Sequence, residues 1–306
     1  MKVLITGGAG FIGSHLAAHL QGRAEVRILD DLSTGHVENL EGLDVEFIKG
    51  SIVDRVAVLE AMAGIGVVFH LAAMVSVSES VRDPHGCVAA NVTGLLNVLE
   101  AAAQARVRKF CFASSAAVYG NSPIVPKSED MLPEPRSPYA VTKLDGEYYC
   151  RQFTEAGRLD TVALRFFNVF GARQDPSGPY GAAVPVFFRE AIAGRPITIF
   201  GDGGQTRDFI HVSDIVSALE FVANRPGLTG VFNAGYGGQI SVLDLARRIL
   251  AITNSSSEIL FSSARAGDVR HSRASVDRLR GAGWVPVGSL DAGLASMLGD
   301  LRAHPV

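Results

Sequence analysis

The opening twenty residues do most to limit what this chain can become. Residues 2–6 form a short apolar run of the kind found in an interior strand of a parallel sheet. It passes directly into Gly7-Gly8-Ala9-Gly10-Phe11-Ile12-Gly13, and residues 14–20 continue with helical character. Gly7, Gly10 and Gly13 recur at every third position, a G-x-x-G-x-x-G variant of the strand–turn–helix fingerprint for dinucleotides. The physics is that of the commoner G-x-G-x-x-G form: without side chains the turn is tight, and amides at a helix N-terminus can approach a pyrophosphate closely. A second strand, residues 25–29, ends in Asp30-Asp31. A carboxylate about twenty residues past the glycines can accept hydrogen bonds from the adenosine ribose hydroxyls and repels a 2′-phosphate. Asp30 takes that role here, which favours NAD over NADP; the plainer alternative is that both aspartates merely open a polar loop.

Further strand-like runs fall at residues 45–48, 67–71, 108–114 and 161–166, separated by helical patterns, notably 86–105 and 138–155. This alternation predicts an α/β fold, a doubly wound Rossmann-type parallel sheet with helices on both faces. The 306 residues suit one large or two moderate domains. Residues 1–170 are read as the NAD-binding domain. Residues 171–306 are read as a smaller α/β substrate-binding domain, since loops rich in Gly and Pro begin at 171–181 and 201–205. A helix over 211–223 and a strand over 231–234 are expected to return to the first domain, so segments around 205–235 go with it. There is no internal repeat.

Ser137-Pro138-Tyr139-Ala140-Val141-Thr142-Lys143 then narrows the chemistry. Ser137 suits a helix N-cap and Pro138 the first helical position. Tyr139 and Lys143 lie one turn apart on one face. An ammonium beside a phenol favours the phenolate, lowering a pKa of about 10 and making a base able to deprotonate an alcohol. Tyr-x-x-x-Lys alone occurs by chance on many solvated helices; behind a nucleotide-binding turn it becomes specific. Net charge is −3, from 28 basic and 31 acidic residues, with no long basic run, so neither nucleic acid nor a membrane surface is expected as a partner. Cys87, Cys111 and Cys150 have no metal-like spacing and read as buried thiols in a reducing compartment; no metal site is expected. With a strand starting at residue 2, no room for a leader and no apolar stretch long enough to span a bilayer, the chain reads as cytoplasmic.

Further ordered segments accompany these motifs: Phe69-His70-Leu71-Ala72-Ala73, Asn91-Val92-Thr93-Gly94, 113–120 (ASSAAVYG), 164–171 (LRFFNVFG), 201–211 with its Arg207-Asp208-Phe209, and Arg265-Ala266-Gly267-Asp268. Together they resemble the extended short-chain dehydrogenase/reductase family over nearly the whole chain, and within it the chain is similar to UDP-hexose 4-epimerases of the UDP-glucose/UDP-N-acetylglucosamine type. The resemblance implies a catalytic set of Tyr139, Lys143 and Ser115, with Ser114 the less favoured hydroxyl. It implies an NAD site formed by Gly7, Gly10, Phe11, Ile12 and Gly13, then Asp30, Asp31, Ser33, Thr34 and Gly35. Ser51, Ile52, Leu71, Ala72, Ala73, Asn91 and Phe166 join them, with Tyr139 and Lys143 at the nicotinamide end. A UDP-sugar is expected against Ser115, Tyr139, Asn168, Ala183, Val184, Thr198, Phe200, Arg207, Arg265, Asp268 and Ser272. Two departures from the family pattern loosen the NAD contacts: Ser51-Ile52 replaces an Asp-aliphatic pair, and Val75 stands where some relatives place a lysine.

The implied cycle is proton removal from the sugar 4-hydroxyl by Tyr139, relayed by Ser115, while C4 passes its hydrogen to a tightly retained NAD. The 4-keto sugar turns over and is reduced on its other face. Small residues at Ser272 and at Ala182-Ala183 leave room for an N-acetyl group, so both the plain and the acetylated UDP-hexoses are expected substrates. UDP-glucuronate 4-epimerisation is the alternative, with Arg270 as the candidate carboxylate clamp. A 4,6-dehydratase would need acids where Ala116-Ala117 stand, and a non-catalytic dinucleotide sensor would not need Tyr139 and Lys143. Relatives pair as homodimers through helices equivalent to 86–105 and 138–155; Leu95, Val98 and Leu99 suit either that interface or packing on the sheet.

Overall fold

The computed structural model describes residues 1–176, 182–264 and 269–303. Strands β1 (Lys2–Thr6), β2 (Glu25–Asp30), β3 (Val45–Lys49), β4 (Val67–His70), β5 (Lys109–Ser115) and β6 (Thr161–Phe166) come first in the chain. They are followed by β7 (Asn168–Phe170), β8 (Ile197–Phe200), β9 (Thr206–Arg207), β10 (Phe209–His211), β11 (Gly230–Ala234), β12 (Ile240–Ser241) and β13 (Ile259–Ser262). The seven-stranded sheet has the order β11-β6-β5-β4-β1-β2-β3, with β1 to β6 parallel to one another. The expected doubly wound sheet is therefore present, and its winding reverses between β1 and β4, the switch point beside which open α/β sheets bind ligands.

The helices are α1 (Phe11–His19), α2 (Arg55–Ala61), α3 (Val77–Arg82), α4 (Pro84–Val88), α5 (Leu95–Gln104), α6 (Pro138–Glu155), α7 (Ala183–Ile192), α8 (Val212–Ala223), α9 (Val242–Thr253), α10 (Asp277–Gly281) and α11 (Leu290–Ala303). Two compact units result: Met1–Gly120 with Leu132–Phe166 and Val216–Phe232, and Asn121–Met131 with Phe167–Ile215 and Asn233–Val306. In the first, both faces of the sheet are buried because successive residues of an interior strand point opposite ways: Val3 and Ile5 to one side, Leu4 to the other. Leu4, Val68, Phe110 and Phe112 share a core with Val58 of α2, Leu95, Val98 and Leu99 of α5, and Phe153 of α6. That assigns Leu95, Val98 and Leu99 to sheet packing rather than to a subunit interface. Gly146 lets α6 lie this close, since a Cβ there would sit 2.4 Å from the Phe112 ring.

The helix expected over 86–105 is interrupted. A π-helical turn, Ala89–Gly94, joins α4 to α5. By length and composition the stretch Pro84–Gln104 could cross a membrane, which the reading of the apolar runs did not anticipate; its α5 half belongs to the first unit's core.

The second unit is built from three two-stranded sheets, β10-β7, β12-β9 and β13-β8. Its core joins Phe170 and Ile197 to Phe188 of α7, Leu245 and Ile249 of α9, and Leu294 of α11. This core carries the strand ends on which the second set of expected site residues sits.

Candidate active site

The glycine turn has the geometry a pyrophosphate needs. Gly7 adopts φ +72°, and a Cβ on it would meet the Ala72 nitrogen at 2.7 Å. A Cβ on Gly13 would lie 2.2 Å from the Gly7 carbonyl oxygen. Gly10 is the N-cap of α1 and no side chain caps that end, so phosphate oxygens can take its leading amides. Asp30 is buried, its carboxylate oriented by the amides of Ala9 (2.9 Å) and Leu32 (2.8 Å). Burial pushes its pKa up, against those two hydrogen bonds. Asp31 instead binds the Ser33 amide at 3.0 Å and the Ser51 hydroxyl at 3.2 Å, which commits Ser51 to its neighbour. Gly35 is buried against Ala9 and Asp30, while Ser33 and Thr34 are exposed beside it. These features fit a dinucleotide carrying free ribose hydroxyls.

Asn91 is spent elsewhere. It lies in the π-helical turn, where its amide brackets the Met74 backbone (2.8 and 3.0 Å) and donates to the Thr142 hydroxyl at 3.0 Å. It therefore acts on the site by holding the loop after β4 against the turn of α6 that carries Lys143.

Helix α6 begins as expected, with Ser137 accepting from the Ala140 amide at 3.2 Å and Pro138 in the first turn. A residue the sequence did not flag, Ser80, accepts the Tyr139 amide at 3.1 Å and so fixes the tyrosine's own backbone. Ser115 ends β5 and caps the short turn Ala116–Tyr119. Its hydroxyl lies beside the Tyr139 side chain, where it acts to lower the phenol's pKa. Ser114 faces away and donates to Glu147, which holds Arg165 through two bonds of 2.7 and 2.8 Å. Glu147 and Arg165 also passed unnoticed in the sequence. The signal for Glu147 was its place one turn beyond Lys143 on the same face of α6.

Lys143 corrects an expectation. Its ammonium donates to the Ala113 carbonyl at 2.8 Å and stands 5.7 Å from the Tyr139 ring centre. Burial lowers its pKa to about 8, and burial likewise pushes the Tyr139 phenol up rather than down. Helical spacing gave the shared face, but desolvation sets the direction of both shifts.

In the second unit a cavity of about 560 Å³ is lined by Asn168, Ala183, Val184, Thr198, Phe200 and Arg207, a volume suited to a nucleotide-sized ligand. Gln205, buried in its wall, was not anticipated. Ser272 lies beside the cavity strands, its amide donating to the Thr206 carbonyl at 3.1 Å. Arg270 is held by Asp202 through two bonds of 2.7 and 2.9 Å. Arg265 and Asp268 fall outside the described residues.

Known proteins repeat this assembly. The chain is 41% identical over 304 residues to the UDP-glucose 4-epimerase of Mycolicibacterium smegmatis, covering 96% of each chain. The UDP-N-acetylglucosamine 4-epimerase from Methanobrevibacter ruminantium M1, solved in complex with UDP-N-acetylmuramic acid, superposes with a TM-score of 0.95 at 35% identity, over 99% of this chain and 98% of that one. The UDP-glucose 4-epimerase of Thermotoga maritima, solved with UDP-glucose, gives 0.95 at 36% identity over 99% of both chains. The family model for NAD dependent epimerases and dehydratases matches residues 3–235. With its glycine turn, its Ser-Tyr-Lys set and these relatives, the chain is a nucleotide-sugar epimerase of the isomerase class and belongs to the NAD dependent epimerase/dehydratase family.

Proposed function

We propose that this enzyme interconverts the C4 epimers of UDP-hexoses, accepting UDP-glucose and UDP-galactose and also their 2-N-acetyl counterparts. The observation that carries the reading is the convergence on the Tyr139 side chain of Ser115, at the end of β5, and of Lys143, on the same face of α6. The residues that would hold NAD are the glycine turn and Asp30. When bound, NAD supplies an oxidised nicotinamide that takes the C4 hydrogen with its electron pair, returns it, and favours a nearby phenolate by its positive charge.

The chain's own work is proton management and anchoring. Tyr139, as phenolate, accepts the 4-hydroxyl proton by way of Ser115, leaving a ketone at C4. The same proton returns once the sugar presents its opposite face. Ser115 suits the relay because a hydroxyl both donates and accepts. Lys143 holds the nicotinamide ribose and adds positive charge. Asn168, Arg207 and the apolar wall of the second unit's cavity keep the uridine diphosphate in place while the sugar turns, Arg207 through its planar donor fork. Arg265 and Asp268 belong to the same proposed anchor.

The glucuronate alternative is disfavoured because Arg270, its candidate clamp, already holds the Asp202 carboxylate. No acid stands in the turn Ala116–Tyr119 to support dehydration. A homodimer is also proposed. Val77 and Val81 of α3, Val88 of α4, and Val141 and Tyr148 of α6 are exposed apolar side chains on helices that pack together.

The base assignment is tested by Tyr139→Phe, expected to bind UDP-glucose normally while kcat falls about 10²–10⁴-fold; near-normal turnover would show that another group takes the proton. Lys143 exacts a stability cost, because its pKa of about 8 in the fold lies below the ordinary 10.5. That cost is fully present below pH 8 and disappears as pH rises to 10.5. Lys143→Met is therefore expected to gain up to about 3 kcal/mol at pH 7 in urea unfolding, to lose that gain by pH 10.5, and to lose activity. A gain that did not depend on pH would refute the lowered pKa of Lys143 in the fold. Ser272→Tyr is expected to abolish turnover of UDP-N-acetylglucosamine while sparing UDP-glucose; equal losses on both would remove Ser272 from the sugar pocket. For the subunit contact, Val141→Asp with Tyr148→Asp should convert a dimer to a monomer in sedimentation velocity. A wild-type chain that sediments as a monomer would end that proposal.

A further inference from the structure

Asp208 is a fully buried carboxylate that the mechanism above does not use. Its Oδ1 accepts the Tyr236 amide, and its Oδ2 accepts those of Gly237 and Ala274, each at 2.9 Å. No lysine or arginine is hydrogen-bonded to it among the described contacts; Arg273 acts on it only through space. The Asp208 backbone carbonyl takes both the Asn168 amide (3.1 Å) and the Asn168 side-chain nitrogen (2.9 Å). One residue thus joins β7, the segment after β11 and the segment that carries Ser272.

Its position between β9 and β10 explains what this junction controls. Successive side chains of an extended segment point opposite ways, so Arg207 and Phe209 line the cavity while Asp208 turns into the backbone behind it. The fit is close. A Cβ on Gly235 would come within 2.7 Å of the Ala274 Cβ and 3.1 Å of Asp208 Oδ2. Only a carboxylate satisfies the three amides, because an asparagine in the same place has one acceptor oxygen and would aim its NH₂ at a backbone N–H. Burial without a bonded counter-ion is costly and raises the pKa of Asp208 to about 6, so a residue chosen only for packing would not be charged.

We infer that Asp208 is the positioning residue of the nucleotide anchor: its carboxylate, by tying three backbone amides behind the cavity, holds Arg207 and Asn168 in register for a diphosphate. This rests on the reading of the cavity as the UDP site, and the experiment separates the two claims. The KM and kcat for UDP-glucose are measured for Asp208→Asn and Arg207→Ala, alongside bound NAD and thermal unfolding. Loss of one hydrogen bond to a charged group is expected to raise the KM of Asp208→Asn about tenfold, with kcat within about threefold and NAD content unchanged. Arg207→Ala should raise KM at least as far. If Arg207→Ala raises KM and a folded Asp208→Asn does not, or if Asp208→Asn lowers kcat alone, the positioning role is overturned and the UDP site stands. If neither variant changes KM, the cavity is not the UDP site and both claims fall. Should Asp208→Asn not fold, amide hydrogen exchange on the wild type decides: UDP-glucose must slow exchange at Tyr236, Gly237 and Ala274 together, and unchanged rates at those amides overturn the inference.

Discussion

The reversal of winding between β1 and β4 is the constraint on which the first unit's chemistry depends. Strand ends on either side of that point open a crevice, and the turn that leads into α1 there must be backbone and small side chains. Gly7 and Gly13 meet that condition by brute exclusion, since an added carbon at Gly13 would overlap the carbonyl oxygen of Gly7. β5 ends in the same layer and delivers Ser115, and α6 packs back against β5 and β6 so that Tyr139 and Lys143 reach it. The reactive groups are therefore supplied by separate chain segments whose relative placement is set by the sheet.

A second theme is that this enzyme keeps charge where folding alone would remove it. Lys143 is an ammonium under the end of a sheet, satisfied by one carbonyl, and Glu147 and Arg165 form a buried pair one turn further along α6. Removing one member of such a pair is strongly destabilising, whereas replacing both by apolar groups often is not. Their retention is thus better explained by what they hold in place than by what they add to stability. Ser114, drawn to Glu147, leaves Ser115 as the hydroxyl that meets Tyr139.

Much of this was legible in the residues. Strand positions follow from apolar runs, and α6 starts where Ser137-Pro138 place it, because capping chemistry is local. The six cavity residues were legible only through resemblance, since nothing in the spacing of Asn168, Thr198 and Arg207 brings them together before the small sheets form. Electrostatics was the least readable part. The i, i+4 spacing of Tyr139 and Lys143 defines a shared face, but not that a flexible lysine stem would reach the Ala113 carbonyl, nor that burial would dominate the phenol. Ser80 and Asp208 act through partners distant in the chain.

The π-helical turn between α4 and α5 has a consequence for how one run of helix is used. An extra residue in a turn rotates every later side chain by about 100° around the axis. Val88, before the turn, looks out to solvent, while Leu95, Val98 and Leu99, after it, look into the sheet. The insertion is a phase slip that lets one continuous rod present an outward surface with its first half and an inward one with its second. Asn91, sitting in the slip, ties it to the Met74 backbone and the Thr142 hydroxyl.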